Sequence, residues 1–137
     1  MITKDIARLA IVRGAILLGH FDDIDHQKFF VVIGENENQL IGFFFINSNI
    51  HNSIKQKQAQ LEMQMPIKKS QYPFLKYDSW IGANKITTIS KDKIASDIIT
   101  KSTQIKGNLT DDDLSLLLDA IRSSKLFSKI EKETFFK

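Results

Sequence analysis

The run Gly42-Phe43-Phe44-Phe45-Ile46 sets three phenylalanines side by side with no polar residue among them. A strand turns successive side chains to opposite faces, so this run has no side that tolerates water. It predicts a central strand packed on both faces. Upstream lies a second β-branched and aromatic run, Phe29-Phe30-Val31-Val32-Ile33, closed by Gly34. The polar residues Glu35-Asn36-Glu37-Asn38 separate the two runs and predict a hairpin leading into Gln39–Ile46.

Other segments carry shorter strand signals. Ala15–Leu18 is a brief apolar run after Gly14, and Gln58–Gln64 alternates, with Ala59, Leu61, Met63 and Met65 on one side. Asp78–Ile81 and Lys85–Ile89 read as two more strands, with Gly82-Ala83-Asn84 as a bend between them. Asn47–Ser53 reads as a polar loop, and Pro66 and Pro73 bracket a lysine-containing connection. The period then changes: Ser90 is placed to cap a helix with Ile94, Ile98 and Ile99 on one face, and Gly107-Asn108 breaks the chain. Thr110 followed by Asp111, Asp112 and Asp113 is a helix start, with carboxylates at the positive end of the dipole. Leu114, Leu117, Leu118 and Ile121 follow at helical spacing. Strands followed by helices predict a mainly β fold with C-terminal helices, a small β-barrel in one domain over residues 1–137.

Composition narrows the chemistry. The chain has no cysteine, which removes disulfides, Cys-ligated zinc, iron–sulfur clusters and thiol nucleophiles. The glycines are scattered singly, so there is no phosphate-cradling loop of the nucleotide-binding kinds. No apolar run reaches the roughly 20 residues a membrane helix needs, and no targeting signal is visible, so a cytoplasmic protein without membrane attachment is expected. The net charge of +3 is unevenly spread. Residues 1–52 carry −2, residues 53–108 carry +6 and residues 109–137 carry −1. A concentrated lysine excess raises the local concentration of polyanions, although a solvated lysine face would look the same.

Several residues could carry chemistry. His20-Phe21-Asp22-Asp23-Ile24-Asp25-His26 is the densest polar cluster; its spacing matches no metal signature, and turns gather aspartates in any case. His20 or His26 could move protons near neutral pH. Asn47 and Ser48 stand where the apolar strand meets the loop, a position that fixes contact groups or merely satisfies a turn. Lys28 stands at the entrance to a strand, able to neutralise a phosphate or simply to face water. The stretch Tyr72–Trp80 interleaves aromatics with lysine. If exposed it could stack bases; if buried it is a strand that packs Phe74, Leu75 and Trp80 inward and leaves Lys76 and Tyr77 outside.

The order of these pieces resembles the MazF/PemK-type toxins. Arg13-Gly14-Ala15-Ile16-Leu17 is similar to that family's opening strand, and His26–Ile33 to its second strand, where an arginine-proline pair precedes a valine-rich run. Ile41–Ser48 resembles a third strand ending in a hydroxyl residue, Lys76–Ile89 the later strands, and Ile105–Ile121 the closing segment of glycine, leucine, hydroxyl and helix. The resemblance covers about residues 13–123. It implies an SH3-like barrel, a homodimer, metal-independent cleavage of single-stranded RNA with no cofactor, and an antitoxin protein that blocks the groove. By position it implies Lys28 at the phosphate-stabilising place, Ser48 as the strand-end hydroxyl and His20 in the loop after the first strand. Together with His26 these are the expected catalytic residues, and Asn47, Lys55, Lys57, Lys76 and Tyr77 the expected RNA contacts. The chain departs from the family in having Lys28-Phe29 for the arginine-proline pair and Ala15 for the acidic opening residue. Lysine lacks the planar fork of arginine. An alternative is therefore a fold that lost its chemistry and binds a protein or nucleic acid. A third reading makes Phe135-Phe136 an exposed anchor for a partner.

Overall fold

The Phe-rich hairpin stands at the centre of the molecule. The computed structural model describes residues 2–137. Strands β1 (Ala15–Gly19), β2 (Lys28–Glu35) and β3 (Leu40–Asn47) form an antiparallel meander. Four further strands extend it: β4 (Gln64–Ile67), β5 (Ser79–Gly82), β6 (Thr87–Ser90) and β7 (Gln104–Asn108). The seven-stranded antiparallel order is β4-β5-β3-β2-β1-β7, with β6 also pairing β3. Strand β3 is shared: Leu40–Phe43 pair with β6, while Ile46 and Asn47 pair with β5.

Both faces of this sheet are covered, as the apolar run requires. On one face Ile16, Val31, Ile33, Phe44 and Ile46 pack with Leu117 and Ile121 of α5 (Asp111–Ser123) and Phe135 of α6 (Lys129–Phe135). On the other, Leu17, Phe30, Val32, Ile41 and Phe43 pack against Ala7 of α1 (Lys4–Leu9) and Ile94, Ala95 and Ile98 of α4 (Lys91–Ile99). Residues from a single strand alternate between the two clusters, which is the period of 2 made visible. Each buried phenylalanine contributes roughly 2–3 kcal/mol through its removal from water. Ser90 and Thr110 cap α4 and α5 through their side chains, as their positions predict.

Several local expectations need correction. Gln58–Gln64 is not one strand: Gln58–Leu61 is helix α3, and the strand begins at Gln64. Gln, Ala and Leu are good helix formers, and Gln58 Nε2 donates to Glu62 Oε1 at 3.0 Å across one helical turn. The polar loop after β3 is shorter than expected, because His51 caps helix α2 (Asn52–Lys55). Gly107-Asn108 do not break the chain; they pair with Ile16 and Ala15 at the end of β7. Ile99 turns outward, 41% exposed, while Ile94 and Ile98 face the core. The segment before β5 is a turn-rich loop rather than a strand, although Tyr72 and Leu75 are buried and Tyr77 is exposed.

The largest correction concerns the C-terminus. Phe135 and Phe136 are 7% and 0% exposed, so they form part of the core and cannot anchor a partner. Arg13 Nη2 donates to the Phe135 and Lys137 carbonyls at 3.1 and 2.9 Å, and its Nε donates to Ile33 O at 2.7 Å. Arg122 Nε donates to Phe136 O at 2.5 Å. The Phe135 carbonyl crosses so close to β2 that a Cβ at Gly34 would stand 2.3 Å from it, so only glycine admits this segment.

Candidate functional site

At the end of the hairpin away from its turn, β2 begins and β3 ends, and the loop 68–78 folds over them. That loop is braced from within. The Lys69 amide donates to Asp78 Oδ1 at 2.9 Å, and the Lys69 ammonium donates to the carbonyls of Pro73 and Leu75 at 3.2 and 2.5 Å. Tyr72 fastens the loop to the start of α5: its hydroxyl donates to Asp113 Oδ2 and accepts from the Thr110 amide at 3.1 Å. Burial, reinforced by the Asp113 carboxylate, holds the Tyr72 hydroxyl above its ordinary pKa.

Between this loop and the strand ends lies a cleft of about 470 Å³. His26, Lys28, Ser48, Lys76 and Tyr77 line it, five of the residues singled out in the sequence. Lys106 on β7 and Gln27 also line it, and Phe29, Phe74 and Leu75 form apolar parts of the wall. Tyr77 is 66% exposed at the rim of the cleft, on the braced loop. The Lys76 and Lys106 side chains are exposed and the cleft lining holds no carboxylate. An anion entering it meets cations without a competing negative wall.

The remaining candidates fall elsewhere. His20 is exposed just beyond β1 and does not line the cleft. Lys55 ends α2 and Lys57 precedes α3, both exposed and both outside the cleft lining. Asn47 closes β3 and touches the site only through Lys28. Among the described residues, no group of three His, Asp or Glu side chains converges as metal ligands, so the HFDDIDH cluster is dispersed along its loop.

At the start of β2, Asp25 and Lys28 are both perturbed. His26 Nδ1 lies 3.0 Å from Asp25 Oδ1, and this hydrogen bond, with the charge of His26, holds the Asp25 carboxyl below its ordinary pKa. Lys28 is different. Its ammonium donates to Asn47 Oδ1 and stands 5.6 Å from the centroid of the Phe45 ring. Phe45 packs with the second core cluster, so the ammonium sits on the sheet face away from Phe29 and Ile46, which belong to the first. Burial lowers the Lys28 pKa. The Lys28 residue borders the cleft, while its charge is turned to the end of β3.

Lys106 and Lys69 were not legible as site residues. Lys106 reaches the cleft because β7 pairs with β1 across the chain, a long-range pairing with no local signal. Lys69 works by gripping carbonyls of its own loop, which the two flanking prolines hint at only as a connection. No family model matches the chain, and no curated protein and no solved structure matches it.

Proposed function

We propose that the protein binds single-stranded RNA in the cleft beneath the loop 68–78 and cleaves it without a metal, as a toxin-like endoribonuclease whose antitoxin would occupy the same cleft. The observation that carries this reading is the gathering of His26, Ser48, Lys76, Tyr77 and Lys106 at one cleft from separate strands and loops. Lys76 and Lys106 neutralise the phosphate, and Tyr77 offers a ring on which an unpaired base stacks. Ser48 supplies a hydroxyl contact, and Lys28 holds Asn47 and thereby the β3 end that carries Ser48. His26, oriented by Asp25, takes the proton of the ribose 2′-hydroxyl as that oxygen attacks phosphorus and the bond to the 5′-oxygen breaks. The departing 5′-oxygen takes a proton from solvent water, and the products are a cyclic phosphate and a 5′-hydroxyl. An SH3-like barrel is the proposed fold type. The shared strand β3 and the bulges at Val32/Gly34 and Ile16/Leu17 supply the bending that such a barrel needs.

A second reading, binding without cleavage, draws on one observation: His20 lies outside the cleft, which leaves His26 as its one imidazole. End-labelled single-stranded RNA incubated with purified protein separates the two. Cleavage that His26→Ala abolishes while binding persists supports the ribonuclease. Binding with no cleavage supports the second reading. Lys76→Ala and Lys106→Ala should each weaken binding at all sequences and reduce the salt slope by about 1. Absence of binding at low salt overturns both readings.

A further inference from the structure

Two apolar surfaces elsewhere on the molecule have no partner among the described residues. The first is the outer side of α1, where Ile2, Ile6, Leu9 and Val12 are 53%, 54%, 78% and 50% exposed. Ile6 and Leu9 stand three residues apart on the helix, Ile2 precedes its cap Thr3 and Val12 follows its last turn, so two helical anchors are flanked by two from the adjoining chain. Beside it lies a hollow of about 390 Å³ bordered by Leu9, Val12, Arg8, Arg13 and Lys91. Around this surface Lys4, Arg8, Arg13 and Lys91 face Asp5, Asp92 and Glu35, leaving a positive excess.

The second surface is a groove between β4 and the outer side of α5. Two adjoining hollows of about 320 and 490 Å³ share Glu62, Met63 and Ala120. Met65 and Leu116 line the first of them, and Leu116 is 63% exposed. Methionines adapt their shape to an incoming apolar face. The charge here is opposite to that of the first surface: Glu62 and Asp113 line the groove and Asp112 and Asp119 stand on exposed turns of α5, against Lys125.

We propose that these two surfaces are made for each other in different copies of the chain: the α1 surface of one molecule lies in the β4–α5 groove of the next. The apolar anchors supply the attraction, and the opposite charges fix the orientation. An anionic membrane or RNA would suit the α1 side but be repelled by the groove, and neither accounts for both. Because the two patches differ, the contact is head-to-tail, and it generates rings or chains rather than a two-fold dimer. The cleft under the loop 68–78 shares no lining residue with either surface, so assembly does not depend on the RNA reading.

Sedimentation of the full chain over a concentration series, at low and high salt, tests this. The expected result is a mass that rises with concentration, more steeply at low salt than at high. Leu9→Glu and Leu116→Glu lie at exposed positions and leave the core intact; each alone should be monomeric. Mixed in equal amounts they should form a dimer and nothing larger, because each variant retains the surface that the other has lost. A wild-type chain that stays monomeric throughout overturns the proposal. So does a Leu116→Glu variant that associates like wild type, which would mean α1 pairs with α1, and so does a mixture that yields no dimer.

Discussion

The β2–β3 hairpin has two ends, and the molecule treats them in opposite ways. At the turn end the C-terminal segment is driven against the sheet. Phe135 and Phe136 enter the core, Gly34 yields space for a passing carbonyl, and Arg13 and Arg122 grip the backbone carbonyls that follow. At the other end the strands stay paired, Phe29 against Ile46, under a loop that covers them without filling the space, and the cleft remains. One set of cations donates to carbonyls of the chain itself; the other, Lys76 and Lys106, has no partner among the described residues. On the proposed reading, stability and recognition fall to different ends of one pair of strands. This is how a fixed scaffold can carry an adaptable site.

If that division is right, damage at the closed end should cost stability and spare the cleft. Phe136 is fully buried and touches the Phe44 and Phe127 rings, with centroids 6.3 and 4.9 Å away. Phe136→Ala should therefore lower the unfolding free energy by about 4 kcal/mol, measured by urea denaturation. RNA affinity of the folded fraction should be unchanged. A loss of affinity in protein that is still folded would break the comparison, because it would tie the cleft to the C-terminal clamp.

A smaller effect is expected where the loop 68–78 is fastened to α5. Tyr72→Phe removes the hydroxyl that bonds Asp113 and the Thr110 amide, at a cost of about 1 kcal/mol. The pH dependence has a definite sign. The folded state holds the Tyr72 proton above the ordinary value of 10.0, so the advantage of wild type over the variant is full below that pH. It fades as pH rises from there through the raised folded value. Paired urea titrations near neutrality and above pH 10 read this directly; a constant difference would remove the hydroxyl from the account.

Much of the scaffold was legible because its signals are local. Three adjacent phenylalanines can only be satisfied between two layers, and Ser90 and Thr110 announce their helices through side chains three residues from the amides they cap. Gln58–Gln64 misled because a period of 2 over a few residues competes with strong helix formers, and the helix prevailed. Phe135-Phe136 misled because nothing near them in sequence shows Gly34 and Gly42 opening a slot more than 90 residues away. The cleft was half legible. His26, Lys28, Ser48, Lys76 and Tyr77 stand at strand ends or in polar loops, where exposure is the expected outcome, and they do converge. Lys106 depends on the β1–β7 pairing, and the inward turn of the Lys28 ammonium on which face of β2 receives it. Neither is written in the neighbouring residues.

Lys28 gives the finest test of the difference between the two ends, since its charge is the one cleft-end cation that the fold has partly withdrawn from water. Folding lowers its pKa below the ordinary 10.5 by burial, so its charged form burdens the folded state. Between the lowered value and 10.5 the unfolded chain holds more protons than the folded one, so wild-type stability rises with pH across that window. Lys28→Met keeps a similar stem and carries no charge, so it lacks this contribution. Near neutral pH the variant should lie within about 1 kcal/mol of wild type, because relief from desolvation is offset by the lost hydrogen bond to Asn47 and the contact with Phe45. As pH climbs toward 10.5, wild type should gain on the variant, while groups common to both proteins cancel from the comparison. A gap that stays flat or closes in the other direction would mean that the ammonium is solvated and free. Lys28 would then join Lys76 and Lys106 as an open cation of the cleft.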